Sequence, residues 1–135
     1  MATAPQGCNP TLSITADSPS DPTASPVYTQ YFASRGVTEN TNNPGNTYTN
    51  FEPPVSTMLT ATHSCTAARQ CADYTANQND YAYYSFDLHY LINKQVYQCA
   101  AYFRETTDIS YFDQQNAEVG VVYGYSLQKY YYPPK

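Results

Sequence analysis

From residue 80 onward the hydrophobic and polar positions alternate with a period of two. Ala82, Tyr84, Phe86, Leu88 and Tyr90 fall on one face, and Tyr81, Tyr83, Ser85, Asp87 and His89 on the other, the signature of a half-buried strand. Asn93 and Lys94 supply a tight reversal, after which residues 96–103 return with Tyr97, Cys99, Ala101 and Phe103 on one side. A third strand over 119–128 sets Val119, Val121, Tyr123, Tyr125 and Leu127 against Gly120, Val122, Gly124, Ser126 and Gln128. Upstream, the breaker-free run Thr-Ala-Ala-Arg-Gln-Cys-Ala-Asp predicts a helix over 66–76, with Thr62 or Ser64 as its cap.

The first sixty residues have a different texture. They hold eight of the ten prolines, and each X-Pro pair disfavours helix. Residues 28–32 form a candidate short strand, and 39–46 (Glu-Asn-Thr-Asn-Asn-Pro-Gly-Asn) form a strong turn region. The expected organisation is a loop-rich segment with short strands at 1–60, a core at 61–130 that belongs to the same domain, and a tail at 131–135. The expected fold class is α+β, an antiparallel meander carrying one helix.

At 135 residues the chain suits one domain with one modest core. Its net charge is −5, and its six basic residues are scattered, so neither nucleic acid nor an anionic membrane finds the basic footprint it needs. The chain contains no run of eighteen apolar residues that could span a bilayer. Charged residues make up 13%, about half the usual share, so the polarity comes from Ser, Thr, Asn, Gln and Tyr, as in many secreted and wall-associated proteins.

Cys8, Cys65, Cys71 and Cys99 form an even set that fits two disulfides in an oxidising compartment. The start, Met-Ala-Thr-Ala-Pro, carries no charged or apolar leader, so secretion implies that one was removed. Cys65 and Cys71 on one helix would stand roughly 9 Å apart at 1.5 Å rise per residue, beyond disulfide reach. Each must then pair with Cys8 or Cys99. Cys71 with Cys99 and Cys8 with Cys65 is the expected arrangement, the crossed one staying open. The four thiols lack the close pairs of a structural zinc site, and His63 and His89 are the only histidines, so no metal set and no cofactor is expected.

Three stretches resemble a known family: Ser64-Cys-Thr-Ala-Ala-Arg-Gln-Cys-Ala-Asp, Tyr84-Ser-Phe-Asp-Leu, and Leu91-Ile-Asn-Lys-Gln-Val-Tyr-Gln-Cys-Ala-Ala-Tyr-Phe103. They are similar to the helix, strand and cysteine-bearing return strand of fungal secreted proteins with a PAN/apple-like domain. Asp108-Ile-Ser-Tyr-Phe-Asp and Val122-Tyr-Gly-Tyr-Ser126 resemble the end of such domains, so the likeness covers about residues 62–130. It implies a helix cradled on a curved antiparallel sheet and stapled to it by disulfide, with a non-catalytic role in binding protein or carbohydrate.

Sixteen tyrosines and no tryptophan supply flat faces with a hydroxyl at low entropic cost. Tyr84, Phe86 and Tyr90 are expected in the core, and Tyr81, Tyr83, Asp87 and His89 as an exposed ligand-binding strip. Asp87 and His89 can orient each other, but Ser85 on a straight strand lacks the strained elbow and oxyanion hole of a hydrolase. Glu105, Asp108, Asp113 and Glu118 lack calcium-loop spacing and read as a solvated acidic loop. The tail, Lys129-Tyr-Tyr-Tyr-Pro-Pro-Lys135, suits an extended edge that docks on the domain or on a neighbour.

The expected function is a secreted, non-catalytic module that binds carbohydrate or a glycoprotein at a cell wall or host surface. A self-assembling structural wall or matrix protein is the alternative, and a small secreted hydrolase a further one.

Overall fold

The computed structural model describes residues 12–16, 24–39, 55–78, 83–103, 107 and 109–132. One six-stranded antiparallel sheet organises them, built from β1 (Ser13–Thr15), β2 (Ser25–Arg35), β4 (Val55–Met58), β5 (Ser85–Leu91), β6 (Val96–Tyr102) and β8 (Val119–Tyr131). Their order across the sheet is β1-β2-β8-β5-β6-β4. A two-stranded ladder of β3 (Val37–Thr38) and β7 (Gln114–Gln115) lies apart from it, and the helix α1 spans Ser64–Ala76. Among the described residues no helix is long and apolar enough to cross a membrane.

The expected hairpin is present, with Leu91 opposite Val96 and the reversal spread over four residues ending at Gln95, whose φ is 55°. The expected meander is corrected. Strand β8 does not follow β6 across the sheet; it pairs with β5 on the opposite edge and continues along β2. The eleven-residue β2 explains why, since it offers β8 a far longer ladder than the four-residue β4 beside β6. Pro26 sits inside β2 where the β1 ladder ends, accepting from the Ala16 N–H through its carbonyl, so its missing N–H costs little. The expected tail also begins inside a strand, because Tyr131 pairs with Ser25.

Helix α1 buries Ser64, Ala67, Ala68, Cys71, Ala72, Thr75 and Ala76, a stripe at helical spacing made only of small side chains. Such a stripe lets the helix approach the sheet closely, and the sheet answers with large side chains. Phe86, Leu88 and Tyr90 of β5, Tyr97 of β6, Tyr28 of β2 and Tyr125 of β8 fill the space. Phe86 stacks on Tyr125 at 4.8 Å between ring centroids and meets Tyr28 edge-on at 5.3 Å.

The bridge Cys71–Cys99, with Cα atoms 5.4 Å apart, fastens the middle of the helix to β6 as expected. By loop-closure entropy, a bridge across 28 residues contributes about 3–4 kcal/mol. No described cysteine is free, and Cys8, the expected partner of Cys65, lies outside the described residues. The expected cap is corrected: His63 occupies the N-cap without a side-chain bond. Ser64 is already helical, and its hydroxyl lies 2.6 Å from the Tyr97 hydroxyl, facing the sheet.

The opposite face of the sheet has its own smaller cluster, Phe112, Val119 and Val122 packed with Tyr31, Phe32, Val37 and Leu91. Phe32 and Phe112 stack at 4.0 Å. The alternation expected along β8 holds for Val121, Tyr123, Tyr125 and Leu127, which meet the helix side. Val119 joins the opposite cluster, next to a register shift between His89 and Leu91. Gly124 is needed beneath Tyr31, since a Cβ there would come within 2.9 Å of the ring.

The closeness of helix and sheet makes overpacking costly. Ala72→Leu is expected to lower unfolding stability by about 1–3 kcal/mol in urea denaturation, whereas Arg69→Ala on the exposed side should change it by less than about 0.5 kcal/mol. Equal effects at the two positions would contradict the packing described.

Candidate functional site

Strand β5 was expected to show one face to solvent, and this is corrected: Ser85, Phe86, Asp87, Leu88, His89 and Tyr90 are all buried. The physical reason is its place between β8 and β6, with α1 on one side and Glu39 and the Phe112 cluster on the other. The expected binding strip is therefore not exposed. Tyr81 lies outside the described residues. Tyr83 is 1% exposed and structural in its contacts: its N–H donates to the Thr75 carbonyl, its carbonyl accepts from the Tyr28 hydroxyl at 2.9 Å, and its ring meets Phe103 edge-on.

Asp87 and His89, 1% and 4% exposed, do come together, but with partners the strand pattern does not contain. Glu39, just after β3, accepts from the Tyr102 hydroxyl at 2.9 Å through Oε1, and its Oε2 lies 3.1 Å from His89 Nε2. Glu39, rather than Asp87, orients the imidazole. Tyr102 reaches the group because it pairs opposite Ser85, two positions along the same face from Asp87. Glu39 was missed in the sequence because it sits 50 residues from His89 in a turn-like stretch. Tyr102 carried a weak signal, its place on β6 opposite the face of Cys99 and Ala101.

No described donor reaches either Asp87 oxygen, and His89 Nδ1 is likewise unpartnered. Burial raises the Asp87 carboxyl well above the ordinary range, and the nearby negative charge of Glu39 pushes in the same direction. Burial also pushes Glu39 upward, but the hydrogen bond and charge of His89 outweigh it and hold Glu39 down to about 2. Burial, then the charges of Asp87 and Glu39, raise the Tyr102 phenol.

The group opens onto a cavity of about 280 Å³. Thr38, Ser56, Gln98 and Asn116 give it uncharged hydrogen-bonding walls beside Glu39 and His89, while Leu91 and Val119 add apolar surface. Although no metal set was expected, Glu39, Asp87 and His89 each present a ligand atom, all within 4.8 Å of one another. Of the acidic loop, Asp113 and Glu118 are exposed, while Glu105 and Asp108 lie outside the described residues.

The two carboxyls have opposite linkage to folding. Glu39, lowered to about 2 on folding, adds stability that is present above its ordinary value of 4.5 and lost as pH falls toward 2. Asp87, raised on folding, favours the folded state most below its ordinary value of 3.8 and loses that contribution as pH rises. In chelator-treated protein, the melting temperature should fall more steeply from about pH 4 to about pH 8 in the parent than in Asp87→Asn, which cannot ionise. Parallel profiles would show that folding does not raise the Asp87 carboxyl.

No family model, no curated protein and no solved structure matches this chain.

Proposed function

We propose that the protein is a secreted, non-catalytic binding module of PAN/apple-like kind that recognises carbohydrate, free or as the glycan of a glycoprotein, at a cell wall or host surface. The observation that carries this reading is the cavity beside Glu39 and His89, walled by Thr38, Ser56, Gln98 and Asn116 with Leu91 and Val119. Hydroxyls and amides both donate and accept, which suits a hydroxyl-rich ring, and apolar side chains suit its C–H face. The cavity takes over the role first assigned to the buried strip around Tyr83. Secretion is supported by the Cys71–Cys99 bridge and by the low share of charged residues. In this reading Glu39 and His89 anchor the ligand by hydrogen bonds and perform no chemistry on it.

A structural, self-associating role has one observation in its favour: Tyr130, Tyr131 and Tyr132 are exposed by 38%, 51% and 70% at the end of β8. Sedimentation velocity as a single monomeric species across a wide concentration range would remove it.

A glycan array and wall-polysaccharide pull-down should show binding, followed by calorimetric titration with the saccharide identified. Gln98→Ala is expected to weaken that affinity about 10-fold through loss of a hydrogen bond, with melting temperature unchanged. A silent array together with failure to bind wall extracts would sink the carbohydrate reading.

A further inference from the structure

We propose that Glu39, Asp87 and His89 form a binding site for one divalent transition-metal ion, with Zn²⁺ the best-suited occupant. Three observations converge on it. The three side chains offer ligand atoms within 4.8 Å of one another, and Glu39 Oε2 and His89 Nε2 stand 3.1 Å apart. Adjacent ligands around an ion with bonds of about 2.1 Å are spaced by roughly 3.0–3.4 Å, and opposed ligands by roughly 4.2 Å. Small rotamer adjustments therefore close the set around a cation.

The second observation is the unpartnered Asp87 carboxyl. It is 1% exposed, aimed at Glu39 and His89, and neither oxygen accepts a hydrogen bond. Native structures rarely leave both oxygens of a buried carboxyl unsatisfied, and a bound ion is one of the few explanations such a group admits. Third, among the described residues no lysine or arginine pairs with Glu39 or Asp87, leaving two buried carboxyls with His89 as their one basic neighbour. A divalent cation supplies the missing positive charge.

The donor set discriminates among cations. Two carboxylates and an imidazole suit Zn²⁺ or Mn²⁺, with Zn²⁺ held more tightly, whereas Ca²⁺ takes six to eight oxygens and has no use for the imidazole. The adjoining cavity, lined by Glu39 and His89, gives an entry path and room for water in the remaining positions. The site goes beyond the carbohydrate reading and stands without it.

The test uses the full chain, stripped with chelator and titrated with Zn²⁺ by calorimetry and by competition against a chromophoric chelator. One equivalent should bind, Mn²⁺ should bind more weakly, and millimolar Ca²⁺ should not compete. Asp87→Asn and Glu39→Gln should each weaken Zn²⁺ binding by at least about 10-fold, while His63→Gln on the exposed helix start should not. X-ray absorption at the zinc edge of the parent protein, which needs no variant to fold, should show oxygen and nitrogen ligands including one imidazole, without sulfur.

Absence of stoichiometric binding, sulfur ligation, or loss of binding in His63→Gln would each overturn the site. Retention of full affinity in a folded Asp87→Asn protein, its near-ultraviolet dichroism unchanged, would also overturn it. Zinc binding with a silent glycan array supports this site and counts against the carbohydrate reading alone. Saccharide binding in chelator by a chain that takes up no zinc does the reverse.

Discussion

Burial of β5 on both faces is the constraint from which the rest of the molecule follows. A strand between two others can keep one face wet, and many antiparallel sheets do so. Here α1 covers Phe86, Leu88 and Tyr90, while Glu39 and the Phe112 cluster cover the side that carries Asp87 and His89. Two ionisable groups are thereby taken out of water on a strand that cannot move without breaking ladders to β6 and β8. The unusual electrostatics of the cavity, from the raised Asp87 carboxyl to the depressed Glu39, descend from that placement.

The helix side shows how a composition rich in tyrosine and alanine solves a packing problem. Small residues on α1 bring the helix close, and aromatic residues on the sheet fill the resulting gap. The tyrosine hydroxyls then tie elements together. Tyr28 reaches the Tyr83 carbonyl, Tyr97 meets Ser64, and Tyr102 donates to Glu39. A phenylalanine in any of these places would keep the burial but leave a buried polar partner unmatched, which costs about 1–3 kcal/mol. Much of the tyrosine content is therefore structural, and it is not by itself a sign of ligand stacking.

Local patterns were legible in the sequence and long-range ones were not. The helix announced itself through its run of good formers and the hairpin through alternation around Asn93 and Lys94, while the reach of a disulfide excluded a Cys65–Cys71 pair and left Cys71 to bond either Cys8 or Cys99. Alternation marks which residues share a face but carries no information on whether that face is covered, so Tyr83, Asp87 and His89 were wrongly expected in solvent. The choice of β8 between two possible neighbours depended on the length of β2, which Pro26 near its start disguised. Glu39 was invisible because its role exists only once β3 folds over β5, 50 residues away.

Stability alone gives a poor account of the Glu39–Asp87–His89–Tyr102 group. A buried carboxyl with no acceptor bond satisfied costs free energy, and an asparagine or apolar residue at 87 would avoid the like charge of Glu39 altogether. Where a fold satisfies nearly every other demand of local consistency, a costly exception marks the place where function overrides stability. The exception here is not isolated. It adjoins a polar cavity, no described lysine or arginine pairs with its carboxyls, and its donor atoms already lie near the spacing a cation imposes. Their coincidence at one point is the reason the proposed metal site lies on the covered face of β5 rather than among the exposed tyrosines.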